Sequence, residues 1–491
     1  MGTPLSRTVA EGSAFMNLID GASVDSLSGE RIDVASPSDG KVFSSIPASN
    51  AADVDRAVKS AHKAFEEGPW SRMPAVERGR CLTRLFHLVE KHGDELAALE
   101  SRDTGKPARQ GKADVTATMR YYEFYGGAGD KIHGDTIPFL DGYTALTLRE
   151  PHGVVAGIIP WNYPMQIMAR VAGAALAMGN TLVVKPAEDA SLSAIRIAQL
   201  ALEAGIPEGV FNVITGYGRD AGAALSAHPL VDYVTFTGST GTGTAIQQAA
   251  AINNRGVTME LGGKSAQIVF ADADIDSAIP VMVNAIIQNG GQTCSAGSRV
   301  LLEKPIYEKV AAALADRFSK LVAGPHDADL DLGPLINKTQ RDRVAGMIAA
   351  AKAAGVSVLA EGSVHADAPA GGYYQAPVLF GSVDPNAVIA QEEVFGPVLT
   401  LFAFEGEDEA VRLANGTDFG LVAGVWTKDG ARQHRVAKRV RAGQVFVNGY
   451  GAGGGIELPF GGFKKSGHGR EKGFEALYDM SATKTIVFNH G

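Results

Sequence analysis

The sequence predicts an α/β fold with two regions built on parallel sheets and a small exposed β-ribbon. After Gly153, short β-rich runs alternate with helical stretches, which is typical of βαβ units around a parallel sheet. The alternation begins again after Glu260, so a second region of the same class follows the first. Between Lys131 and Arg149, apolar residues instead alternate with polar ones, which indicates a ribbon. With 491 residues, the chain is long enough for two or three domains.

The part of the chain ahead of the ribbon is predicted to be largely helical. Between Ala51 and Ala98, apolar residues such as Val54, Val58 and Phe65 recur at the spacing of amphipathic helices. We therefore expect packed helices over the opening third of the chain.

The first α/β region contains four predicted strands, with the sequences VVAGIIP, TLVVKP, FNVITG and YVTFTG. The stretches SLSAIRIAQLALEAG and GTAIQQAAAI are predicted helices of the same region. Right-handed crossovers between such strands give a parallel sheet. We expect a nucleotide-binding domain here.

The second α/β region is predicted from the runs SAQIVF, SRVLLE, VLTLFAF and QVFVNG, with helices such as IYEKVAAALADRFSKLVAG. The final run TKTIVFNHG is one more predicted strand, which could pair with the ribbon of its own or of a neighbouring subunit. We expect catalysis where the two α/β regions meet.

The charge of the chain argues against a nucleic-acid partner. The formal net charge is -9 and the pI is near 5.7, whereas phosphate binding needs clustered Lys and Arg. The one dense basic run begins at Arg432 and fits a solvated helix face.

No membrane partner is expected either. The most apolar stretch, from Val154 to Val184, lacks the roughly 20 uninterrupted apolar residues of a membrane-spanning helix. The chain also contains only two cysteines, Cys81 and Cys294, far apart in sequence. A disulfide framework is therefore not expected, and a reducing compartment, by default the cytoplasm, is the predicted location.

Three segments suggest a catalytic site. Cys294 lies in QNGGQTCSAGSR, where small residues allow backbone N–H groups to approach the sulfur, as in a nucleophile loop. Glu260 lies near the end of the strand-like run VTMEL, which is followed by two glycines, so it is either a structurally paired carboxylate or a base with a raised pKa. Asn162 follows a strand, either as a helix cap or as a neutral donor to an oxyanion.

Two further segments suggest a cofactor site. The run VTFTGSTGTG is a strand followed by Gly238, Ser239 and a helix, whose first N–H groups would favour a pyrophosphate. Its glycines depart from the usual G-x-G-x-x-G order. In VVKPAE, Lys185 and Glu188 follow a buried strand; they are either a surface ion pair or, for the carboxylate, a ligand of an adenosine ribose.

Taken together, seven segments resemble the aldehyde dehydrogenase superfamily in content and order. They are IIPWNYP, VVKPAE, FTGSTGTG, MELGGKS, GQTCSAGSR, EEVFGPV and LPFGGFKKSGHGRE, and they cover nearly the whole chain. The resemblance implies a Rossmann-like cofactor domain, a second α/β catalytic domain and a β oligomerisation arm. It also implies a homodimer or homotetramer.

The resemblance assigns a role to each matching residue. Cys294 is implied to be the nucleophile, Glu260 the general base and Asn162 the oxyanion donor, together with the backbone N–H of Cys294. NAD, or alternatively NADP, is the implied cofactor, and no metal is expected. The implied cofactor contacts are Trp161, Lys185, Glu188, Gly218, Gly238, Ser239, Leu261, Glu393 and Phe395, of which Glu393 and Phe395 are implied to hold the nicotinamide ribose. Glu188 would repel a 2′-phosphate and so favours NAD, although Lys185 would soften that repulsion.

The same resemblance implies domain ranges. Residues 1–128 and 149–259 would form the cofactor domain and 260–446 the catalytic domain. Residues 129–148 and 472–491 would form the oligomerisation arm, and 447–471 a segment returning near the active site.

Two departures from the family pattern bear on function. Gly241 stands where many members carry Glu, so the first turn of its helix is predicted to be looser and the cofactor more mobile. Arg170 follows Asn162 on the same predicted helix, where many relatives carry Trp and the succinate-semialdehyde enzymes carry Arg. Arg170 is either a structural ion-pair partner or a ligand for a substrate anion, as in an anionic semialdehyde. The second Arg of those enzymes is replaced by Gln288, so the parallel is incomplete.

Two other functions are compatible with parts of this pattern. A CoA-acylating semialdehyde dehydrogenase would share the fold and the cysteine but would not need Glu260 to activate water. A non-catalytic binding protein on the same scaffold would be expected to lack the nucleophile, the base or the oxyanion donor, and all three are present.

Overall fold

The computed structural model describes residues 12–451 and 455–491. The first residues of the predicted cofactor domain and residues 452–454 of the predicted return segment lie outside these ranges.

The helices predicted ahead of the ribbon are confirmed from residue 51 onward. Four of them follow one another there: Ala51–Glu66, Ala75–Lys91, Gly93–Thr104 and Ala108–Gly126. The first begins with a capping box. The Asn50 side chain accepts a hydrogen bond from a backbone N–H of the first helical turn, and the Asp53 side chain accepts one from the backbone N–H of Asn50.

The prediction of a largely helical opening is wrong for the residues before this helix, which form five short strands. These strands are Ser13–Ala14, Asn17–Ile19, Ala22–Val24, Arg31–Ala35 and Val42–Pro47. Most are too short for a period of two to be evident. Arg31–Ala35 does carry that period, since Ile32 and Val34 are buried and Asp33 is exposed.

The first sheet has eight strands, of which the five central ones are parallel. Its order is Gly467–His468, Gly256–Glu260, Tyr233–Thr237, Val154–Ile159, Thr181–Pro186, Phe211–Val213, Asn17–Ile19 and Ala22–Val24. The central strands confirm the four predicted βαβ runs and the strand that ends at Glu260.

Both faces of the first sheet are buried, because successive side chains of a strand point to opposite sides. Val155 and Ile159 pack into one apolar cluster with the opening helices, whereas Val154, Ala156 and Ile158 pack into another on the opposite face.

The second sheet has seven strands, all parallel except at one edge. Its order is Ser357–Glu361, Val378–Gly381, Val398–Phe404, Arg299–Glu303, Ala266–Val269, Val422–Trp426 and Gln444–Val447. All four strands predicted for this region are present. Its two faces again carry separate apolar clusters, with Ile268 and Leu301 in one and Val269 and Val300 in the other.

The ribbon forms a third sheet with the C-terminal strand. Thr136–Ile137 pairs with Tyr143–Pro151, which pairs antiparallel with Ser481–Asn489 of the same chain. The predicted C-terminal strand is therefore confirmed, and the ribbon it pairs with is its own. Large apolar side chains on this sheet are exposed, among them Leu148 and Phe488.

The remaining helices surround the two larger sheets. They are Pro164–Ala177, Leu192–Glu203, Ala223–Ser226, Thr240–Ala251, Ile275–Ile287, Tyr307–Phe318, Lys338–Ala353, Val388–Gln391, Gly406–Asn415, Gly430–Arg439 and Glu475–Asp479. Two small strand pairs complete the described structure: Val322–Ala323 with Ser363–Val364, and Phe419–Gly420 with Phe463–Lys464. Among the described residues, no helix is long and apolar enough to cross a membrane.

Candidate active site

The candidate site lies where the first sheet leads into the second. Glu260 is the last residue of a strand of the first sheet, and a short loop through Gly262 and Gly263 connects it to Ala266–Val269 of the second. A Cβ atom on Gly263 would lie 2.3 Å from the carbonyl oxygen of Cys294. Only glycine fits there, and its absent side chain lets the Glu260 loop lie directly against the cysteine.

The loop that carries Cys294 has an unusual backbone. Asn289, Gly290 and Gly291 all have left-handed φ angles, of 52°, 63° and 76°. Gly291 must be a glycine for a second reason, because a Cβ atom there would lie 2.2 Å from the carbonyl oxygen of Gly396. The glycines noted in the sequence thus shape the turn that presents the thiol.

The Cys294 side chain is half-buried against Leu421, Val422 and Phe460. Burial raises the pKa of this thiol to about 12, and the nearby carboxyl groups of Glu393 and Glu260 act in the same direction. The cations Arg170 and Lys472 oppose the rise. The thiol is therefore protonated at neutral pH in this arrangement, so its attack on a carbonyl requires that it lose a proton.

The Glu260 side chain is fully buried, and its surroundings fit a base better than a structurally paired carboxylate. Neither carboxyl oxygen has a hydrogen-bond partner within residues 12–451 and 455–491. Burial, reinforced by the Glu471 carboxylate, raises the pKa of Glu260 well above its ordinary value. A Cβ atom on Gly461 would lie 2.8 Å from Oε1, so the facing segment leaves room for this carboxyl group.

Asn162 lies beside the cysteine loop and not at the helix cap, since the N-cap of Pro164–Ala177 is Tyr163. Its Nδ2 atom donates to the carbonyl oxygen of Gln292 at 2.9 Å. An amide nitrogen carries a second hydrogen that this bond does not use. The structure brings Asn162 to the loop of Cys294, as the sequence predicted, with an N–H available for a substrate oxygen.

Arg170 forms the ion pair that one of its two interpretations predicted. Its Nε atom lies 2.5 Å from Oε2 of Glu471, and both side chains are buried. Glu471 also accepts a hydrogen bond from Thr235 at 3.0 Å. Gln288, the position of the second Arg in the succinate-semialdehyde enzymes, is exposed.

The sequence reasoning missed Glu471 and Lys472 as parts of the site. Burial, together with the charge of Arg170, lowers the pKa of Lys472 to about 8, and its ammonium lies 4.9 Å from the centre of the Phe460 ring. Glu471 is the last residue of the family motif LPFGGFKKSGHGRE and Lys472 follows it directly, but nothing in a linear motif indicates that its end folds back onto Arg170.

The predicted adenosine-ribose residues form one hydrogen-bonded group. Lys185 and Glu188 are joined by an ion pair of 3.0 Å, and the backbone N–H of Gly218 donates to the other oxygen of Glu188 at 3.4 Å. The pair is not a simple surface pair, because Lys185 is buried. Although burial acts against it, the Lys185 ammonium lowers the pKa of Glu188, which therefore remains a carboxylate at neutral pH.

The predicted pyrophosphate residues lie at the start of the helix Thr240–Ala251. Ser239 is its N-cap and accepts from the backbone N–H of Thr242 at 3.3 Å. Gly238 precedes it, and a Cβ atom there would lie 2.5 Å from the Phe236 ring. The first turn of this helix is exposed, which fits a bound anion.

Gly241 lies in this first turn, and no atom is within 4 Å of the position of an added Cβ. Gly241→Ala is therefore expected to increase the free energy of unfolding by about 0.5–1 kcal/mol, because a glycine inside a helix loses more backbone entropy on folding. The same change is expected to tighten dinucleotide binding by ordering the turn that holds the pyrophosphate. Denaturant unfolding and calorimetric titration measure the two effects.

Gly346→Ala is the matched control for this prediction. Gly346 lies within Lys338–Ala353 and also has open space around an added Cβ. It should give a similar gain in stability with no change in dinucleotide affinity. Equal effects of the two variants on affinity would contradict the role assigned to Gly241.

The predicted nicotinamide-side residues lie next to the Glu260 loop. Glu393 accepts a hydrogen bond from the backbone N–H of Gly263 at 2.9 Å, and burial raises its pKa to about 7. Phe395 has a left-handed φ of 54°, and its ring meets that of Trp161 edge-on at 5.4 Å. Leu261 is buried, and its backbone N–H donates to Ser466. These are the residues that would hold one end of a dinucleotide, as the adenosine and pyrophosphate residues would hold the other.

Among the described residues, no cluster of His, Cys, Asp and Glu side chains could hold a metal ion. The arrangement instead brings together a half-buried thiol, a buried carboxyl group and an amide donor. It can attack a carbonyl carbon, stabilise the resulting oxyanion and later activate a water molecule.

Comparison with known proteins agrees with this geometry. The sequence model of the aldehyde dehydrogenase family matches residues 24–486. An aldehyde dehydrogenase of Emericella nidulans is 44% identical over 470 residues, covering 95% of this chain and 94% of that protein.

Solved structures are similar over the same length. One from Burkholderia cenocepacia is 58% identical, with a TM-score of 0.96, and the match covers 97% of this chain and 100% of that chain. The NAD-dependent aldehyde dehydrogenase of Sinorhizobium meliloti is 40% identical, with a TM-score of 0.95, over 98% of this chain and 96% of that chain.

Proposed function

The chain belongs to the aldehyde dehydrogenase family, as its motifs predicted, and we propose that it oxidises an aldehyde to a carboxylic acid through a thioester on Cys294. The observation that carries this proposal is the buried carboxyl group of Glu260, which has no hydrogen-bond partner among the described residues and lies next to the cysteine loop. A carboxyl group held in this way costs stability and is retained where it transfers protons.

The residues divide the reaction into two steps. Cys294, once deprotonated, attacks the carbonyl carbon, and the amide of Asn162 donates to the oxygen on which negative charge develops. NAD held by the predicted cofactor residues would supply the acceptor for the hydride that the carbon loses as its carbonyl forms again. The acyl group then remains on Cys294 as a thioester. Glu260 then takes a proton from water, the water attacks the thioester, and the acid leaves.

An aldehyde panel tests this proposal. We expect aldehyde-dependent formation of NADH, measured by absorbance, and none with Cys294→Ala as the blank. No NADH with any aldehyde of a broad panel would contradict the proposal and favour a non-catalytic binding protein. Formation of acyl-CoA when CoA is added would favour the CoA-acylating alternative, against which the buried Glu260 argues.

We propose NAD as the preferred cofactor, because Glu188 is a carboxylate where an adenosine 2′-phosphate would lie. Glu188→Gln removes the repulsion and is expected to shift the ratio of kcat/KM for NADP over that for NAD upward by about tenfold or more. Steady-state kinetics with both cofactors measure the shift. Glu203→Gln, an exposed carboxylate at the end of Leu192–Glu203, is the control. An unchanged ratio in Glu188→Gln would contradict the assignment.

We propose that the aldehyde carries an anionic group, as in succinate semialdehyde. The supporting observation is that two cations, Arg170 and Lys472, are close enough to Cys294 for their charges to oppose the rise of its pKa. Succinate semialdehyde is expected to give a higher kcat/KM than a neutral aldehyde of similar length, and Arg170→Ala is expected to reduce that preference.

Glu471→Gln is the matched control for this substrate prediction, because it breaks the same ion pair and leaves the cation in place. It should increase the preference for succinate semialdehyde, because Arg170 keeps its charge and loses the carboxylate that neutralises it. Equal kcat/KM for the two aldehydes, unaltered in Arg170→Ala, would show that Arg170 serves only its ion pair.

The domain ranges implied by the resemblance, and assembly as a homodimer or homotetramer, are also proposed. The exposed apolar side chains of the ribbon sheet support an arm that contacts another subunit. Light scattering tests the assembly.

A cytoplasmic location is proposed because both cysteines are free thiols.

A further inference from the structure

The turn before Cys294 contains one residue other than glycine in the left-handed region of φ. Asn289 is not a glycine, yet it has a φ of 52° and is followed by two glycines with positive φ. A backbone of this kind persists only where surrounding contacts determine it. The position of the Cys294 thiol therefore depends on the residues that hold this loop.

Two consecutive residues of the Asn162 segment bind the two residues that precede Cys294. Asn162 donates to the carbonyl oxygen of Gln292 at 2.9 Å, and the Tyr163 hydroxyl lies 2.8 Å from Oγ1 of Thr293. Asn162, which binds the substrate oxygen in the proposed mechanism, is thus directly followed in the sequence by Tyr163, which holds the loop of Cys294.

The direction of the Tyr163 hydrogen bond follows from its neighbours. Gln110 donates its side-chain N–H to the Tyr163 oxygen at 3.5 Å, and Thr293 can donate to the carbonyl oxygen of Gln288 at 3.5 Å. Burial raises the pKa of Tyr163, so the hydroxyl keeps its proton and can donate to Thr293. Gln110 also accepts from the backbone N–H of Asn289 at 3.1 Å, so one amide side chain holds both Tyr163 and the strained residue.

The Tyr163 ring lies on a buried cation. Nζ of Lys106 is 4.4 Å from the ring centre and forms ion pairs with Glu100, at 3.0 Å, and with Asp114. Burial alone would lower the pKa of Lys106, but the two carboxylates raise it, so the cation persists at working pH. A desolvated cation over a ring face is one of the stronger non-covalent contacts of an aromatic side chain. The Lys106 ammonium therefore holds one face of the Tyr163 ring, while the hydroxyl of the same side chain binds the cysteine loop.

We propose that Tyr163, supported by Lys106, is a positioning residue whose hydroxyl fixes Thr293 and so directs the Cys294 sulfur toward the carbonyl held by Asn162. The inference rests on the proposed function of Cys294. It concerns the geometry of the thiol before any aldehyde binds, so it has a readout besides catalysis.

A double-mutant cycle tests the proposal with the full-length protein. Tyr163→Phe and Thr293→Val each remove one partner of the same hydrogen bond and keep the shape of the side chain. Each is expected to lower kcat about tenfold with little change in KM, and the double variant should be no slower than the single ones. Thr293→Ser, which keeps a hydroxyl, should retain activity. Tyr307→Phe is the control, since its hydroxyl binds Ser382 outside the site.

The second readout is the rate at which iodoacetamide alkylates Cys294, followed by peptide mass spectrometry. The alkylation rate should fall in the variants in which kcat falls, and it should be retained in Thr293→Ser, as kcat is. If the wild-type protein oxidises no aldehyde, the proposed function fails, while the alkylation rates still test the positioning. Should Tyr163→Phe not fold, Thr293→Val compared with Thr293→Ser decides.

Three results would overturn the inference. The first is multiplicative effects of the two single variants in the double variant, which would mean that they act independently. The second is a change confined to KM, which would make Tyr163 a substrate contact. The third is an alkylation rate that Tyr163→Phe and Thr293→Val leave unchanged.

Discussion

Cys294→Ala is expected to reduce aldehyde-dependent NADH formation by at least about 10⁴-fold, because no other group of the site can form the covalent intermediate. The site offers the thiol a carbonyl-binding amide and a base, but neither acts on the aldehyde without a nucleophile. Dinucleotide affinity should change little, since the cofactor residues lie on the first sheet and around Glu393. Stopped-flow absorbance and calorimetric titration measure the two quantities.

Cys81→Ala is the matched control for this prediction. Cys81 is buried in the core between the opening helices and the first sheet and donates weakly to the carbonyl oxygen of Gly205. Its removal should leave kcat unchanged. Substantial turnover by Cys294→Ala would mean that the reaction does not pass through this cysteine.

Glu260→Gln is expected to lower kcat by about 10²- to 10⁴-fold while a first turnover is retained. The amide has the shape of the carboxyl group but cannot take the proton from water, so the thioester should accumulate. A burst of about one NADH per active site, followed by a slow steady state, is the expected signature. Glu475→Gln, an exposed carboxylate in Glu475–Asp479, should show normal turnover.

The pH dependence of Glu260→Gln follows from the direction of the pKa shift. Burial raises the pKa of Glu260 well above its ordinary value, so the fraction of carboxylate able to accept a proton increases with pH. Steady-state kcat of the wild-type enzyme should therefore rise from neutral to alkaline pH, and Glu260→Gln should lose most of that rise. The burst rate should still rise with pH in both proteins, because the pKa of Cys294 is raised to about 12. A wild-type kcat that does not increase with pH would contradict the role of Glu260 as base.

The main chemistry of the site could be predicted from the sequence because each group lies in a short segment with its own signal. Cys294 has the small residues that a reactive thiol needs, and Glu260 ends a strand and is followed, after one residue, by two glycines. The structure adds the reason for one of these glycines, since Gly263 leaves room for the backbone of Cys294.

Contacts between distant segments could not be predicted in this way. Arg170 and Glu471 are far apart in sequence, and only the fold shows that their charges neutralise each other. The hydrogen bond between Tyr163 and Thr293 joins two motifs that were interpreted separately. Periodicity likewise missed the strands before residue 51, because three of them have only two or three residues and too few positions to show a repeat.

The central claim is that catalysis passes through a thioester on Cys294 that Glu260 resolves. The most direct measurement is mass spectrometry of Glu260→Gln protein quenched in acid shortly after mixing with an aldehyde and NAD. We predict a peptide carrying an acyl group on Cys294, with the mass of the aldehyde less two hydrogens, that is absent without NAD and absent in the variant that also carries Cys294→Ala. Full NADH formation with no acyl group on Cys294 would contradict the account.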